Sequence, residues 1–509
     1  MSEWTLPFGW TRSTLADLGV WRGGGTPSKQ NSSYWTDGTI PWVSPKDMKV
    51  LRITSTQDTI TEAAIRNSSA TLLPASSVAV VTRSGILERT LPVAVIEVVA
   101  AVNQDLKVLI PKAEIDPSFV AYFLRGRERD VLGQCMKNGT TVASIDFGRF
   151  LAFAIPVPSL HEQRQIVSEI ETQFARLDAA VAALKSARIR LKRYRASVLK
   201  AACEGRLVPT DAELARRNGR EYETASVLLE RIKAERAASP DKKRGKAKEA
   251  VALDNSKMPE IPEGWTWTTP EMIRSENRYA LAIGPFGSNL KVNDYREAGV
   301  PLIFVRNIRT GIFSCPSAKY VDHDKAIELQ AHTVQEGDVL ITKMGDPPGD
   351  AIVYPPGLPR AIITADCIRF QLDGHIANSR FIQHLINSEH GRREFQRLTR
   401  GVAQQKVSLA RFRECSLPLP PLAEQERIVA EVERRMSVIE QMEALVETNL
   451  KRAETLRQSI LRMAFSGRLV SQASAGAIER EIEALQGLSK PAKVSPSSAS
   501  RGDSSLRSE

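Results

Sequence analysis

Apolar residues recur at steps of three and four along two stretches of the chain. In the first stretch they are Ile166, Ile170, Phe174, Leu177, Leu184, Leu191, Tyr194 and Val198. In the second they are Ile428, Val432, Met436, Ile439, Val446, Ala453, Leu456 and Ile460. Polar residues fill the gaps, so the spacing predicts two amphipathic helices, each with a narrow apolar seam. One offset relates the two stretches, 262 residues (424 − 162, from Glu424 and Glu162). It holds from Glu162-Gln and Glu424-Gln near the starts to Gly205-Arg-Leu-Val and Gly467-Arg-Leu-Val at the far ends. Pro156 and Pro158 precede the first stretch, and Pro418, Pro420 and Pro421 the second. Proline cannot sit inside a helix, so these residues mark the two starts. Each helix is expected to run about 40–45 residues, roughly 60–70 Å at 1.5 Å per residue. That outruns a small domain, so the two seams are expected to cover each other rather than to belong to separate cores.

Ahead of each helix the period changes from helical to extended. Ile40-Pro-Trp-Val-Ser, Ser77-Val-Ala-Val-Val-Thr and Leu91-Pro-Val-Ala-Val-Ile-Glu-Val-Val are β-branched runs bounded by Gly, Pro and Ser, which predicts a β-rich first domain. The second domain repeats it at lower similarity. Leu6-Pro-Phe-Gly-Trp returns as Ile261-Pro-Glu-Gly-Trp, and Ile40-Pro-Trp-Val-Ser-Pro-Lys-Asp-Met as Val300-Pro-Leu-Ile-Phe-Val-Arg-Asn-Ile. Ser77-Val-Ala-Val-Val-Thr-Arg-Ser-Gly returns as Asp338-Val-Leu-Ile-Thr-Lys-Met-Gly, and Gly139-Thr-Thr-Val as Gly401-Val-Ala-Gln. The loops diverge: Gly24-Gly-Thr-Pro-Ser stands in one copy and Gly284-Pro-Phe-Gly-Ser in the other. Shared framework with altered polar tips suits two readers of different targets. The loop from Gly23 to Trp35 suits contact with phosphates and base edges, while Tyr34 and Trp35 could equally plug a core. Between the copies, Glu221–Ala237 has helical spacing. Ser239-Pro-Asp-Lys-Lys-Arg-Gly-Lys-Ala-Lys reads as a solvated tether, with phosphate contact the alternative. The Ser-rich end, without periodicity, is expected to be disordered.

Composition narrows the class. No apolar run reaches the 18–20 residues of a membrane span, and Met1-Ser-Glu-Trp-Thr-Leu-Pro lacks the pattern of a signal peptide. Cys135, Cys203, Cys315, Cys367 and Cys415 lie far apart, as expected of free thiols in a reducing cytoplasm. Seventy Lys and Arg against 59 Asp and Glu give a net charge of +11, which favours a polyanionic partner, nucleic acid first. Catalytic patterns fall short. Asp346-Pro-Pro-Gly resembles the motif of adenine amino-methyltransferases, but Gly349 replaces the aromatic that would stack on a flipped base. His161-Glu-Gln-Arg-Gln lacks the second histidine of a zinc-protease helix. Asp146-Phe-Gly has no kinase glycine loop with it. No phosphate-cradling Gly-x4-Gly-Lys-Ser/Thr is present, and the chain is expected not to be an enzyme.

The order domain, helix, domain, helix resembles the specificity (S) subunit of type I restriction–modification systems. Gly24-Gly-Thr-Pro-Ser with Ile40-Pro-Trp-Val, Gly284-Pro-Phe-Gly-Ser-Asn-Leu, and the two Pro-x-Pro…Glu-Gln…Ile-Val helix starts carry the resemblance, which covers nearly all of residues 5–470. It departs from the family pattern at Gly345-Asp-Pro-Pro-Gly, where a smaller Gly-Thr-like loop is common. The resemblance implies an α+β chain: two β-rich target-recognition domains separated by two long helices, packed as an antiparallel coiled coil with pseudo-two-fold symmetry. The expected boundaries are 1–155 and 259–416 for the recognition domains, 156–208 and 417–470 for the helices, 209–258 for a helical piece with a basic linker, and 471–509 for a mostly disordered tail. It further implies a bipartite double-stranded DNA target, two docked methyltransferase (M) subunits and restriction (R) subunits, with no membrane partner. S-adenosylmethionine, ATP and Mg are expected on those partners, and no cofactor or metal on this chain. The alternatives are a stand-alone DNA adenine methyltransferase and a coiled-coil scaffold without sequence readout.

The candidates for DNA contact are Lys29, Gln30, Tyr34, Lys46 and Arg83 in the first domain. In the second they are Ser288, Asn289, Lys291, Arg306, Lys343, Gln404, Gln405 and Lys406. Cations would hold phosphates, and Asn, Gln, Arg, Lys and Ser would read base edges. Each could instead be a solvated surface residue. If the two domains read separately, replacing residues 259–416 with the matching domain of a relative changes one half of the methylated motif. Motif mapping before and after the exchange checks this, and a change in both halves refutes it.

Overall fold

The computed structural model describes residues 6–137, 141–238, 258–287, 289–309, 313, 318–399, 405–469 and 472–487. The chain divides into two compact units, Met1–Ala187 with Leu445–Glu509, and Arg188–Ala444. The expected helices are present as Leu160–Cys203 and Leu422–Ala464, of 44 and 43 residues, and each unit contains part of both. The first unit holds the start of the first helix and the end of the second, and the other unit holds the remaining parts, so the helices pair antiparallel. In the first unit the Asp178 carboxylate accepts from Arg457, whose guanidinium lies 4.5 Å from the centre of the Phe174 ring. In the second, Arg195 meets Glu440 at 3.6 Å and Glu443 at 3.3 Å.

Ile166, Ile170, Leu177, Leu184, Val198, Ile428, Val432, Ile439, Val446, Ala453, Leu456 and Ile460 are buried, as the spacing predicts. Phe174, Leu191 and Met436 are half-buried. Tyr194 departs from the expected seam and is 47% exposed. Past Leu191 the seam passes instead to half-buried Arg195, and elsewhere it admits Gln173, Ala180 and Asn449 as buried positions. Their small or polar side chains hid them from a search for apolar residues. Gln173 Nε2 donates to Glu169 Oε1 at 2.7 Å, and Asn449 Nδ2 to the Leu445 carbonyl at 2.8 Å, so each amide bonds within its own helix.

In the first unit, the strand Ser77–Val81 is buried at every position and lies inside a five-stranded sheet. Leu106–Pro111 and Val93–Ile96 flank it antiparallel, with Gly19–Gly23 and Arg52–Ile53 at the edges. A smaller sheet joins Ile40–Val43 to Asp58–Ile60 antiparallel and to Ala101–Val102 parallel. The second unit repeats this plan. Val339–Thr342 is buried throughout and pairs with Cys367–Phe370 and Ala351–Val353. Val300–Ile303 pairs parallel with Ala361–Ile363, as Ile40–Val43 does with Ala101–Val102. The chain after Glu204 also forms the helices Asp211–Asn218 and Ala225–Ala238. The basic tether that follows lies outside the described residues. Part of the tail expected to be disordered is ordered: Gln472–Gly487 is a helix whose Ile478, Ile482 and Leu485 enter the first unit's core. Those three residues already carry a helical step, obscured in the sequence by the Ser-rich stretch behind them.

The repeated Glu-Gln dipeptides are structural clasps. Glu162 accepts from Trp10 Nε1 at 2.8 Å, and Glu424 from Trp265 Nε1 at 2.8 Å. Gln163 accepts from the Asp116 N–H at 2.9 Å and donates to the carbonyls of Glu114 and Pro158, each at 3.0 Å. Gln425 accepts from the Asn378 N–H at 2.8 Å and donates to the carbonyls of Ile376 and Pro420 at 3.0 and 2.9 Å. Asp116 and Asn378 in turn cap the helices Pro117–Gly126 and Ser379–Asn387. Both glutamines are fully buried, so each amide replaces water for three backbone groups. Gln163→Leu or Gln425→Leu keeps the volume and strands those groups, which is expected to cost on the order of 3 kcal/mol. Urea denaturation with hydrogen exchange checks it: exchange rises first at Pro117–Gly126 in one variant and at Ser379–Asn387 in the other.

Candidate nucleic-acid interface

The same turn is built in each unit, and it presents a cation. In the first, the Asp47 carboxylate accepts from the Ser44 N–H at 2.8 Å, the Ser44 hydroxyl at 3.0 Å and the Gln57 N–H at 2.9 Å. Lys46 rides this turn, exposed. In the second, Asn307 Oδ1 accepts from the Phe304 N–H at 2.7 Å, and the exposed residue at the matching place is Arg306. Its guanidinium lies 4.2 Å from the centre of the Phe304 ring.

Backbone contacts bring the glycine loops to these turns. A Cβ on Gly24 would stand 2.0 Å from the Asn103 carbonyl oxygen, and one on Gly284 would stand 2.1 Å from that of Thr364. Only glycine permits such an approach. Asn103 and Thr364 then donate their N–H groups to Val43 and Ile303, each at 2.9 Å, in the strands that lead into the Lys46 and Arg306 turns. Beyond these lies a third loop. The Thr82 and Lys343 N–H groups donate to the Asp105 and Asp366 carbonyls at 2.8 and 2.7 Å. The next residues form isolated bridges, Arg83 with Ser144 and Met344 with Lys406. The bridge is shared, but its cation comes from one strand in the first unit and from the opposite strand in the second.

The candidate residues sort accordingly. Lys29, Gln30, Lys46 and Arg83 are exposed in the first unit. Tyr34 is half-buried in a small core with Trp35, Ile40 and Trp42, and its hydroxyl donates to the Asn67 carbonyl at 3.3 Å. Trp35 meets Trp42 edge to face, so both aromatics fill that core. In the second unit Asn289, Lys291, Arg306, Gln405 and Lys406 are exposed. Lys343 is half-buried, and its ammonium donates to the Ala365 carbonyl at 3.1 Å. Ser288, Gln404 and the Gly401 motif lie outside the described residues, as do Gly139 and Thr140 of the matching motif. The structure adds three residues that the sequence reading passed over. Phe286 is 62% exposed, with Lys343 Nζ 5.6 Å from its ring centre. Exposed Arg309 approaches Gly345, and Lys107 Nζ lies 5.3 Å from the centre of the Phe147 ring. No motif marks Arg309 or Lys107, and Phe286 stands inside the Gly284-Pro-Phe-Gly-Ser loop, whose sequence alone does not say that the ring is exposed.

Burial pushes His332 below its usual range while its Nδ1 bonds the Ile283 carbonyl at 2.6 Å, so an uncharged imidazole steadies the strand ahead of Gly284. Among the described residues no cluster of His, Cys, Asp or Glu is placed to hold a metal ion. Two shallow grooves, one at Thr39–Pro41 and one at Arg216–Tyr222, are lined by none of the candidates. Polar side chains exposed on loops suit the edges of bases and phosphates. Asp47→Ala frees three donors and is expected to cost about 1–2 kcal/mol, and Asp47→Asn less, since Asn307 already holds the matching turn. Denaturation midpoints, with amide exchange at Ser44 and Gln57, check this.

Comparison with known proteins follows from this geometry. Residues 7–184 and 325–447 match the family described as the type I restriction modification DNA specificity domain. The specificity subunit of the type I restriction enzyme EcoR124I/EcoR124II of Escherichia coli is 45% identical over 158 residues, 31% of this chain and 39% of that one. The EcoBI specificity subunit of Escherichia coli is 26% identical over 322 residues, 62% of this chain and 59% of that one. The match thus spans less than two thirds of either relative. A chain solved in a study of complex assembly and conformational transition of the type I R-M system is 17% identical, with a TM-score of 0.60 over 92% of this chain and 100% of that one. It shares the fold.

Proposed function

The chain belongs to the family of type I restriction modification DNA specificity domains, and from that premise we propose that it is the DNA-recognition subunit of a type I restriction–modification complex. It reads a bipartite double-stranded target, one half with each β-rich domain. The observation that supports this most is the turn built twice, with Lys46 and Arg306 at matching places. The residues around it differ: Arg83 bridges Ser144 in one unit, and Met344 bridges Lys406 in the other. A constant cation on a constant turn suits phosphate, which carries no sequence information, and variable tips suit base edges, which do.

The chain acts without catalysis of its own. Methyltransferase subunits dock on the paired helices and restriction subunits join that core; S-adenosylmethionine, ATP and Mg act on those partners. A reducing cytoplasm fits the buried free thiols Cys135, Cys203, Cys367 and Cys415, the last two pushed up by burial to about 12 and beyond. No helix among the described residues is long and apolar enough to cross a membrane.

The test is selection of duplexes from a random pool by the full-length chain co-expressed with a methyltransferase subunit of its system. Two short sequence blocks separated by an unread gap are expected. Lys46→Ala and Arg306→Ala are each expected to weaken binding alike on all sequences and to lower the salt slope by about one. Binding without sequence preference, or a single continuous block, refutes the reading.

A further inference from the structure

Phe286 is at odds with its surroundings. It shares its neighbourhood with the Lys343 ammonium, yet its phenyl ring is 62% exposed. The matching place in the first unit is held by Thr26, whose hydroxyl bonds the Gln104 side chain. The loop's shape comes from other atoms: Gly284 lies on the Thr364 backbone, Pro285 is buried, and the Asn289 N–H closes a turn on the Phe286 carbonyl at 2.8 Å. Lys343 Nζ, held by the Ala365 carbonyl, stands 5.6 Å from the ring centre. An apolar ring is thus presented outward beside a cation, by a loop whose backbone is fixed without it.

Resting on the reading of this chain as a DNA-recognition subunit, we infer that Phe286 reads a thymine through its C5 methyl group in the major groove. The chemistry leaves few other targets. In the major groove the bases offer hydrogen-bond donors and acceptors, and the apolar group they offer is the thymine methyl. A phenyl ring makes no hydrogen bond to a base edge, so it discriminates by covering that methyl. Lys343 beside it suits a flanking phosphate, which would set the depth at which the ring enters the groove. Thr26 gives the first unit no such ring, so the two loops impose different requirements at matching places.

The test uses the full-length chain with its methyltransferase subunit and the duplex pool described above. Wild type is expected to select a thymine at one position of the half-site read by residues 259–416. Phe286→Ala is expected to lose preference at that position alone, and Phe286→Leu, which keeps an apolar side chain, to retain it. Unchanged preference at the other positions of that half-site shows that the variants are folded. Replacing that thymine with uracil, which removes only the methyl group, is expected to weaken wild-type binding about four-fold and to leave Phe286→Ala unaffected. If wild type selects two blocks and Phe286→Ala selects the same two, the inference falls and the reading stands. If uracil weakens both proteins equally, or neither, the ring does not read the methyl; a Phe286→Ala defect without uracil sensitivity points to a wedge between base steps. If wild type selects no sequence, the reading falls and takes the inference with it.

Discussion

The fold depends on one junction, formed once in each unit where a recognition domain meets the long helices. A buried glutamine at the helix start bonds three backbone groups, and the glutamate before it takes a tryptophan N–H from the domain's first strand region. The far end of the other long helix closes against the same place. A Cβ on Gly467 would stand 2.3 Å from Pro7, and one on Gly205 would stand 2.4 Å from Pro262, with both glycines at positive φ. Glycine is needed twice over at these positions, for the backbone angle and for the contact. Buried amides and carbonyls must find partners, and these side chains supply them where no strand or helix can.

The second junction bears a further load. Glu424 is fully buried and also accepts from the Asp211 N–H at 2.8 Å, while Arg427 pairs with the Asp211 carboxylate at 2.9 Å. Burial raises the Glu424 pKa above its usual range, with Asp211 adding to the rise and the N–H donors and Arg427 opposing it. Glu162 is only half-buried. The helix Asp211–Asn218 supplies the N–H that meets Glu424.

With its junctions closed, each unit can vary its tips. The loops that carry Lys46, Arg83 and Thr26 hang from strands fixed by backbone pairing, as do those that carry Arg306, Lys406 and Phe286. Changing a side chain there leaves the framework bonds intact. A cation can move across the bridge from Arg83 to Lys406, and a hydroxyl can give way to a ring at the glycine loop, without disturbing the sheets. This separation of frame from tip lets two related domains share one framework and differ at their loops.

The sequence by itself determined the two long helices, their starts at the prolines, the repeat that relates the two halves and the family. Each rests on local signals: a period of three and four, a missing N–H, an identical run of residues. It also named the Lys46 and Arg306 turns and the Gly24 and Gly284 loops. It misread Tyr194 as seam, because an aromatic three residues after Leu191 looks apolar, whereas the packed side passes instead to Arg195 and Val198. It left Tyr34 and Trp35 undecided, since an aromatic in a polar loop reads alike as a contact or a plug; only the packing against Trp42 resolved them. The helix Gln472–Gly487, the use of Glu-Gln as a clasp and the exposure of Phe286 were decided by tertiary structure. Each depends on a group distant in sequence: the first unit's core, a tryptophan more than a hundred residues away, or the Lys343 ammonium. Local pattern records which residues share a helix face or a strand, but not which distant group arrives to bury, bond or leave bare a given side chain.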